Sequence, residues 1–308
     1  MITPRALLRE KVFLIDEKFK IPSGMPESLS ALYHENTKMY PSDVRPWLVP
    51  LTPPGLSAMS LKTFFQRSAQ SFKAYDGYPA IRLIEKGTDA DLKPASLWDV
   101  IVRRRSERRY SSTPIEAQAL SKILGYSYGQ TGGFEADGNQ LSLRAAPSAG
   151  ALYPLDIYPL VSNVSGIENG LYHYNVRDHS LECLRPGDFL QEVYPLVQPS
   201  NNEWLAMAGA ILFITATFKR NQLKYGERGY RGILLDAGHV SQNILLSSVA
   251  LGCGACVVVA CLDDPIRLPA NRRRGGIRSH GCQHWKHGHG DRPCRVERTI
   301  CPANRCSI

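Results

Sequence analysis

The hydrophobic pattern becomes regular near residue 96 and predicts alternating helices and strands from there to about residue 264. Ser96-Leu-Trp-Asp-Val-Ile-Val-Arg-Arg-Arg105 sets a capping serine before apolar Leu97, Val100 and Ile101, the start and period of a helix. Thr113-Pro-Ile-Glu116 has Thr, Pro and Glu in the N-cap, N1 and N3 positions, so a second helix is expected from Thr113 to Leu124. Residues 125–139 read as a glycine-rich loop. The small residues of Pro147-Ser-Ala-Gly-Ala151 then lead into an apolar strand through Leu155, Ile157 and Tyr158. Residues 170–174 and 180–184 flank a polar turn and predict a hairpin. A helix is expected over 188–197, a buried strand over 210–218, a long helix from 232 to about 251 and a last strand over 255–261. Gly252 fits the residue that follows a helix end. Ala237, Gly238, Ser241 and Ser248 give the long helix a face of small residues, suited to close packing on another helix.

Residues 1–90 carry less pattern. Residues 30–38 predict a short helix, and the proline-punctuated stretch 41–54 predicts a surface path. His34 and Glu35 fit a solvated helix face better than a functional pair. No repeat and no low-complexity block is visible.

Composition narrows the classes. Of 308 residues, 43% are hydrophobic and 21% charged, the balance of a globular protein. The net charge of +9 is concentrated beyond residue 264, where ten basic residues face two acidic ones. The remaining 27 basic and 26 acidic residues nearly cancel, which argues against a nucleic-acid-binding face on the body. The N-terminus is charged throughout and lacks the apolar core of a signal peptide. The longest uncharged run, 237–262, is broken by Gly252-Cys-Gly254, so helix, turn and strand are expected instead of a membrane span. Four of the eight cysteines lie in the basic tail and the rest in apolar context, the usage of reduced thiols in a cytoplasm.

Two segments carry candidate chemistry. Arg103-Arg-Arg-Ser-Glu-Arg-Arg-Tyr110 concentrates guanidinium groups that chelate phosphate oxygens, with a hydroxyl beside them, although cations are also favoured at a helix C-terminus. The loop at 147–151 lets backbone approach a flat ligand, or simply makes a tight turn before a core strand.

In order along the chain, Arg103–Tyr110, Pro147-Ser-Ala-Gly-Ala-Leu-Tyr-Pro154 and Leu223-Lys-Tyr-Gly-Glu-Arg-Gly-Tyr-Arg231 accompany Gly170-Leu-Tyr-His-Tyr174 and Ala237-Gly-His-Val-Ser-Gln-Asn243. This ordered set resembles the nitroreductase-fold flavoproteins, in the branch of the SagB/ThcOx-type dehydrogenases, the azoline oxidases of thiazole/oxazole peptide biosynthesis. The resemblance covers about residues 96–264, and Tyr33–Lys38 looks like the N-terminal extension of stand-alone members. It implies an α/β (α+β) sandwich, a mixed sheet flanked by helices, and a homodimer with FMN at each subunit boundary. The implied organisation is an extension at 1–90, an FMN-binding domain at 91–264 and a basic, aberrant or disordered tail at 265–308.

The resemblance assigns FMN contacts to Arg104, Arg105, Ser106 and Arg108 for the phosphate and the pyrimidine side of the ring. It assigns Pro147, Ser148, Ala149 and Gly150 to the ring, and Gly252 and Gly254 to a loop whose backbone reaches the flavin. Lys224 and Tyr225 match the catalytic pair of azoline oxidases: a partly desolvated lysine takes a proton while a hydride leaves to the flavin, and tyrosine orients or relays. Oxygen would reoxidise the flavin, and the implied partners are a precursor peptide and a cyclodehydratase. An NAD(P)H-dependent nitro- or quinone reductase of the same fold is the nearest alternative. A decayed, non-catalytic flavoprotein and a nucleic-acid binder acting through the tail are the alternatives from another class.

The resemblance stops at Asp263-Asp264-Pro265. Cys282, His284, His287, His289 and Cys294 are metal-capable types without the paired spacing of zinc modules, so no metal is expected. Cys253-Gly-Ala-Cys256 is expected to be core. The competing reading is translation out of frame. Codons compatible with 277–289, read one nucleotide on, spell an acidic turn, an alternating apolar strand and a glycine. On that reading the core lacks its last strand.

Overall fold

The two longest apolar runs, 155–161 and 210–216, lie side by side at the centre of the fold, and every residue in both is buried. The structure, a computed structural model, describes residues 33, 61–84, 95–197, 202–262 and 305–307. Its contacts divide the chain into two units, 1–45 and 46–308. In the first, Tyr33 is helical, inside the helix expected at 30–38, whereas His34, Glu35 and the 41–54 stretch fall outside the described residues.

In the second unit, helix α1 (Leu61–Ser68) and strand β1 (Ala80–Arg82) precede helix α2 (Leu97–Arg103), strand β2 (Ile115–Glu116) and helix α3 (Ala117–Tyr128). Strands β3 (Gln130–Ala136), β4 (Asn139–Arg144), β5 (Leu155–Val161) and β6 (Val164–Ser165) follow, then β7 (Gly170–Asn175) and β8 (Ser180–Pro186). After helix α4 (Leu190–Val193) come β9 (Ala210–Ala216), α5 (Phe218–Tyr225), the long α6 (Gly229–Ala250), β10 (Cys256–Val258) and β11 (Arg305–Ser307). Seven strands form one sheet in the order β1-β8-β7-β5-β9-β11-β10. Every ladder in it is antiparallel, and β2–β6, outside that sheet, supplies a parallel ladder.

Alternate side chains of β5 and β9 point to opposite faces, both covered, so the two strands are apolar except at Asp156 and Thr215. Leu155, Ile157, Val161, Leu212 and Ile214 face Leu120, Ile123, Leu124 and Tyr128 of α3 and Ile233, Ala237, Val240 and Ile244 of α6. Tyr158, Leu160, Ile211 and Phe213 face the other way, onto Tyr75, Leu190, Val197, Leu205 and Val258. Each fully buried aliphatic side chain stabilises by about 1.5–3 kcal/mol, so both layers hold the sheet. Of the small face expected on the long helix, Ala237, Ser241 and Ser248 are buried and Gly238 is exposed.

Several boundaries differ from expectation. Ile115–Glu116 pairs with Val164–Ser165, so the second helix starts at Ala117 instead of Thr113. It continues to Tyr128 through a buried Gly125. The expected loop at 125–139 is the end of that helix plus β3. Asp137 and Gly138, with φ of 51° and 71°, turn β3 into β4 as a hairpin. The central strand stops at Ala216, and Phe218 instead opens α5, stacked on Tyr230 at 5.7 Å. The expected 188–197 helix is a short α4 followed by a 3-10 turn at Tyr194–Leu196, α6 starts three residues early, and the last strand shrinks to Cys256–Val258. The slot between β9 and β10, where the out-of-frame reading leaves the core one strand short, holds Arg305–Ser307.

Candidate functional site

Lys224 and Tyr225 close α5, and a buried ion pair anchors that helix at its other end. Arg220 Nη1 reaches Asp156 Oδ1 at 3.2 Å and donates to the Tyr153 carbonyl at 3.1 Å. Thr217 Oγ1 donates to Asp156 Oδ2 at 3.2 Å, and Lys73 stands 3.7 Å from the same carboxylate. Burial opposes the charge on Asp156, but Arg220 and then Lys73 outweigh it and hold the carboxyl below its usual range. An acid in an apolar strand is tolerated only when paired, and here the pairing ties β5 to α5.

The small-residue stretch folds into a tight turn whose backbone is left-handed at Gly150 (φ 64°), Ala151 (53°) and Tyr153 (44°). That conformation costs roughly 1–2 kcal/mol for a residue with a Cβ, so the turn needs holding. Ser148 Oγ donates to Asp236 Oδ2 at 2.6 Å and accepts from Tyr153 N at 3.0 Å, and Ala149 N donates to Asp236 Oδ1 at 3.4 Å. Thus held, Gly150 faces α5. A Cβ at this position would stand 2.6 Å from Tyr225 Oη and 2.9 Å from Lys224 Nζ. Both the backbone angle and the contact require glycine. Behind it Asn221, fully buried, fills the notch between Gly229 and Gly232, with neither amide atom hydrogen-bonded to protein.

The electrostatics suit proton transfer. Burial lowers the Lys224 pKa, favouring the neutral amine, and Lys224 Nζ lies 5.2 Å from the Tyr225 ring centroid. Burial, and then the Asp236 charge, pushes the Tyr225 phenol up, keeping it a hydrogen-bond donor. Burial also raises Asp236, partly offset by the hydrogen bonds from Ser148 and Ala149. A potential base and a protonated phenol therefore meet beside a glycine surface.

The arginine segment runs extended from the end of α2. Arg104 caps that helix, donating its backbone N–H to Val100 O at 2.9 Å. Arg105 Nη1 bonds the carbonyls of Val102 and Arg104 at 2.8 and 2.7 Å. Ser106 and Arg108 are exposed, with Arg108 over the Trp204 ring at 5.9 Å. Glu107 N donates to Ala255 O at 3.1 Å, and a Cβ at Gly254 would lie 3.0 Å from Glu107 Cγ, so this glycine lets the two segments meet. Gly252 terminates α6 in the left-handed region (φ 74°), as expected. Burial raises the Cys256 thiol, against the opposing effects of Arg108, Ser106 and Arg104. Cys253 and Cys256 are free thiols, half-buried and buried.

The expected site residues thus fall into two groups. Arg104, Arg105, Ser106 and Arg108 join Gly252 and Gly254 just past the end of α6. Pro147, Ser148, Ala149 and Gly150 join Lys224 and Tyr225 near its beginning, through Asp236. The fourteen steps from Asp236 to Ala250 rise about 21 Å along the helix axis. Within one subunit the two groups thus form separate patches along α6. Asp236, Asn221, Arg220 and Asp156 escaped the sequence reading. An acid inside an apolar run, as in Pro154-Leu-Asp-Ile-Tyr158 and Leu234-Leu-Asp-Ala-Gly238, was the available signal.

Among the described residues no group of three or more His, Cys, Asp or Glu could hold a metal, and the tail's Cys282–Cys294 cluster lies outside them. No described helix is long and apolar enough to cross a membrane. Comparison with known proteins matches residues 101–267 to the Nitroreductase family. The nitroreductase-type protein MJ1384 of Methanocaldococcus jannaschii is 36% identical over 177 residues, 58% of this chain and 85% of that one. The trifolitoxin-processing protein TfxB of Rhizobium leguminosarum bv. trifolii is 34% identical over 142 residues, 43% of this chain and only 37% of its own length. A crystal structure of a nitroreductase-type protein from Anabaena variabilis superposes with a TM-score of 0.54 at 27% identity, covering 78% of this chain and 42% of that chain. The family match spans more than half of the chain and takes in both Arg104–Arg108 and Lys224–Tyr225, so the chain belongs to the nitroreductase family of oxidoreductases.

Proposed function

We propose that the protein is an FMN-dependent dehydrogenase that oxidises azoline rings to azoles in a precursor peptide, working as a cytoplasmic homodimer beside a cyclodehydratase. The observation that carries this reading is the meeting of Gly150 with Lys224 Nζ and Tyr225 Oη. The residues present fit FMN: exposed guanidinium groups and a serine suit a phosphate dianion, and a turn without bulk suits a planar ring. Arg104, Arg105, Ser106 and Arg108 would hold the phosphate end. The 147–150 turn would face the ring, and the backbone at Gly252 and Gly254 would border it. Bound there, FMN supplies a two-electron acceptor. The chain's own part is proton handling: Lys224, whose pKa burial lowers, takes the proton that the azoline ring loses with its hydride, and the Tyr225 phenol donates a hydrogen bond that orients the ring.

Because the two groups stand at opposite ends of α6, each cofactor is shared, with arginines from one copy and the turn from the other. Exposed Leu97, Trp98, Ile101 and Val102 on α2 and Leu234 and Leu235 on α6 supply apolar surface for a second copy. The similarity to a trifolitoxin-processing protein supports a peptide substrate. The similarity to a nitroreductase-type protein over most of its length supports the alternative, an NAD(P)H-dependent nitro- or quinone reductase. Anaerobic stopped-flow separates the two. An azoline-bearing peptide should bleach the flavin and lose two hydrogens per ring by mass. Rapid bleaching by NADPH alone, with no change to the peptide, would overturn the dehydrogenase reading.

A further inference from the structure

Ser148 is the one hydroxyl of the small-residue turn, yet it points inward. It donates to Asp236 and accepts from Tyr153 N, so its proton is committed within the protein. Asp236 is 4% exposed and collects Ser148 Oγ at 2.6 Å and Ala149 N at 3.4 Å, the two polar groups immediately before Gly150. Past them three residues adopt left-handed backbone, two of which, Ala151 and Tyr153, carry side chains that disfavour it. Gly150, in their midst, is the contact surface for Lys224 and Tyr225. Nothing else described in the turn bridges it to α6 through a charged group.

We propose that Asp236 is a positioning residue that holds the 147–153 turn in its left-handed form, and that Ser148 acts through Asp236 and not by donating to a ligand. The inference rests on the cofactor reading only for its effect on FMN, since the turn is formed by protein groups alone. Removing the carboxylate leaves Ser148 Oγ–H and Ala149 N–H, both half-buried, without their acceptor in the protein and frees the turn to relax toward ordinary backbone angles. Gly150 then withdraws from Lys224 and Tyr225. Asparagine at 236 preserves part of the hold: its carbonyl accepts from Ala149 N and its amide donates to Ser148 Oγ, while the Ser148 hydroxyl proton loses its acceptor.

The test uses Asp236→Ala, Asp236→Asn, Ser148→Ala and the Asp236→Ala/Ser148→Ala pair in the full chain. Amide exchange at Ala149 and Tyr153 is measured without cofactor, and FMN affinity by fluorescence titration. In Asp236→Ala, exchange at both amides should quicken about tenfold or more while amides in the middle of α6 hold, and FMN should bind about tenfold more weakly. Asp236→Asn, which keeps one of the two acceptors, should recover part of both. The double variant should lose no more than the worse single, because the two groups act as one unit. Unchanged exchange in Asp236→Ala, no recovery in Asp236→Asn, or fully additive losses would each overturn the inference. Wild-type protein that binds no FMN but gives the expected exchange pattern would sink the cofactor reading and leave the role of Asp236 standing.

Discussion

The proposed sharing of each cofactor between two copies makes a prediction that a single-subunit site cannot imitate. Two inactive copies are combined: one carries Arg104→Ala and Arg108→Ala, the other Lys224→Ala. Each arginine lost from a phosphate removes a charge-assisted hydrogen bond of about 1.5–3 kcal/mol, so the first copy alone should bind FMN roughly 10²- to 10⁴-fold more weakly. The second keeps its cofactor and loses roughly 10²- to 10⁴-fold in rate, the usual worth of a positioned base. In the mixed dimer both lesions fall in one site, and the other site receives native arginines and a native lysine. Random assortment makes about half of the dimers mixed, so about one quarter of all sites should be restored. Co-expression under two affinity tags isolates the mixed dimer, and activity is read per bound flavin. The roughly 21 Å along α6 between the two groups is the structural reason for expecting complementation. Mixed dimers that form, yet show no more activity than either parent, would refute it, because arginines and lysine would then serve the same site from the same chain.

Three further outcomes follow from the same geometry. Gly150→Ala combines a left-handed backbone angle with a Cβ pressed against Tyr225 Oη and Lys224 Nζ, so it should cost about 1–3 kcal/mol by urea unfolding and depress turnover more than FMN affinity. Asp156→Ala leaves Arg220 buried and unpaired and should cost about 3–5 kcal/mol, a loss that urea unfolding at neutral pH would reveal. The lowered Asp156 pKa means that its stabilisation is complete above the unfolded value, about 3.9, and is lost as pH falls through the lower folded value. The wild-type advantage over Asp156→Asn should therefore shrink in acid, and an advantage that grew there would contradict the sign. For Lys224, burial favours the neutral amine, so turnover should rise with pH through a group titrating below the usual lysine value of about 10.4, and Lys224→Met should abolish that limb in a pH–rate profile.

The contrast between what was legible in the sequence and what was not follows from the range of the forces involved. β5 and β9 could be read because nearly every position must be apolar once both faces are covered, and that demand is written locally. The motif at 223–231 singled out Lys224 and Tyr225, but carried no sign of the helix they close. The helix that carries them is fixed from outside its own segment, by Asp156 some 60 residues earlier, and no local propensity records that. The hairpin of β3 and β4 was misread for the opposite reason. Its Asp137-Gly138 turn was a short-range signal, outweighed by the glycines at 129, 132, 133 and 138. Asp236 is the most instructive omission. Its segment was read as one long helix of small residues, which is correct, and the acid within it passed as part of that helix. Its purpose is visible only when Ser148, 88 positions away, arrives with a hydroxyl to be held. The same logic explains the two-group layout: arginines and turn are each recognisable as motifs, but a motif carries no information about which end of α6 it will meet. A long central helix separates what the sequence lists together, and a symmetric second copy, turning one end of that helix toward the other end of its partner, is the simplest arrangement that reunites them.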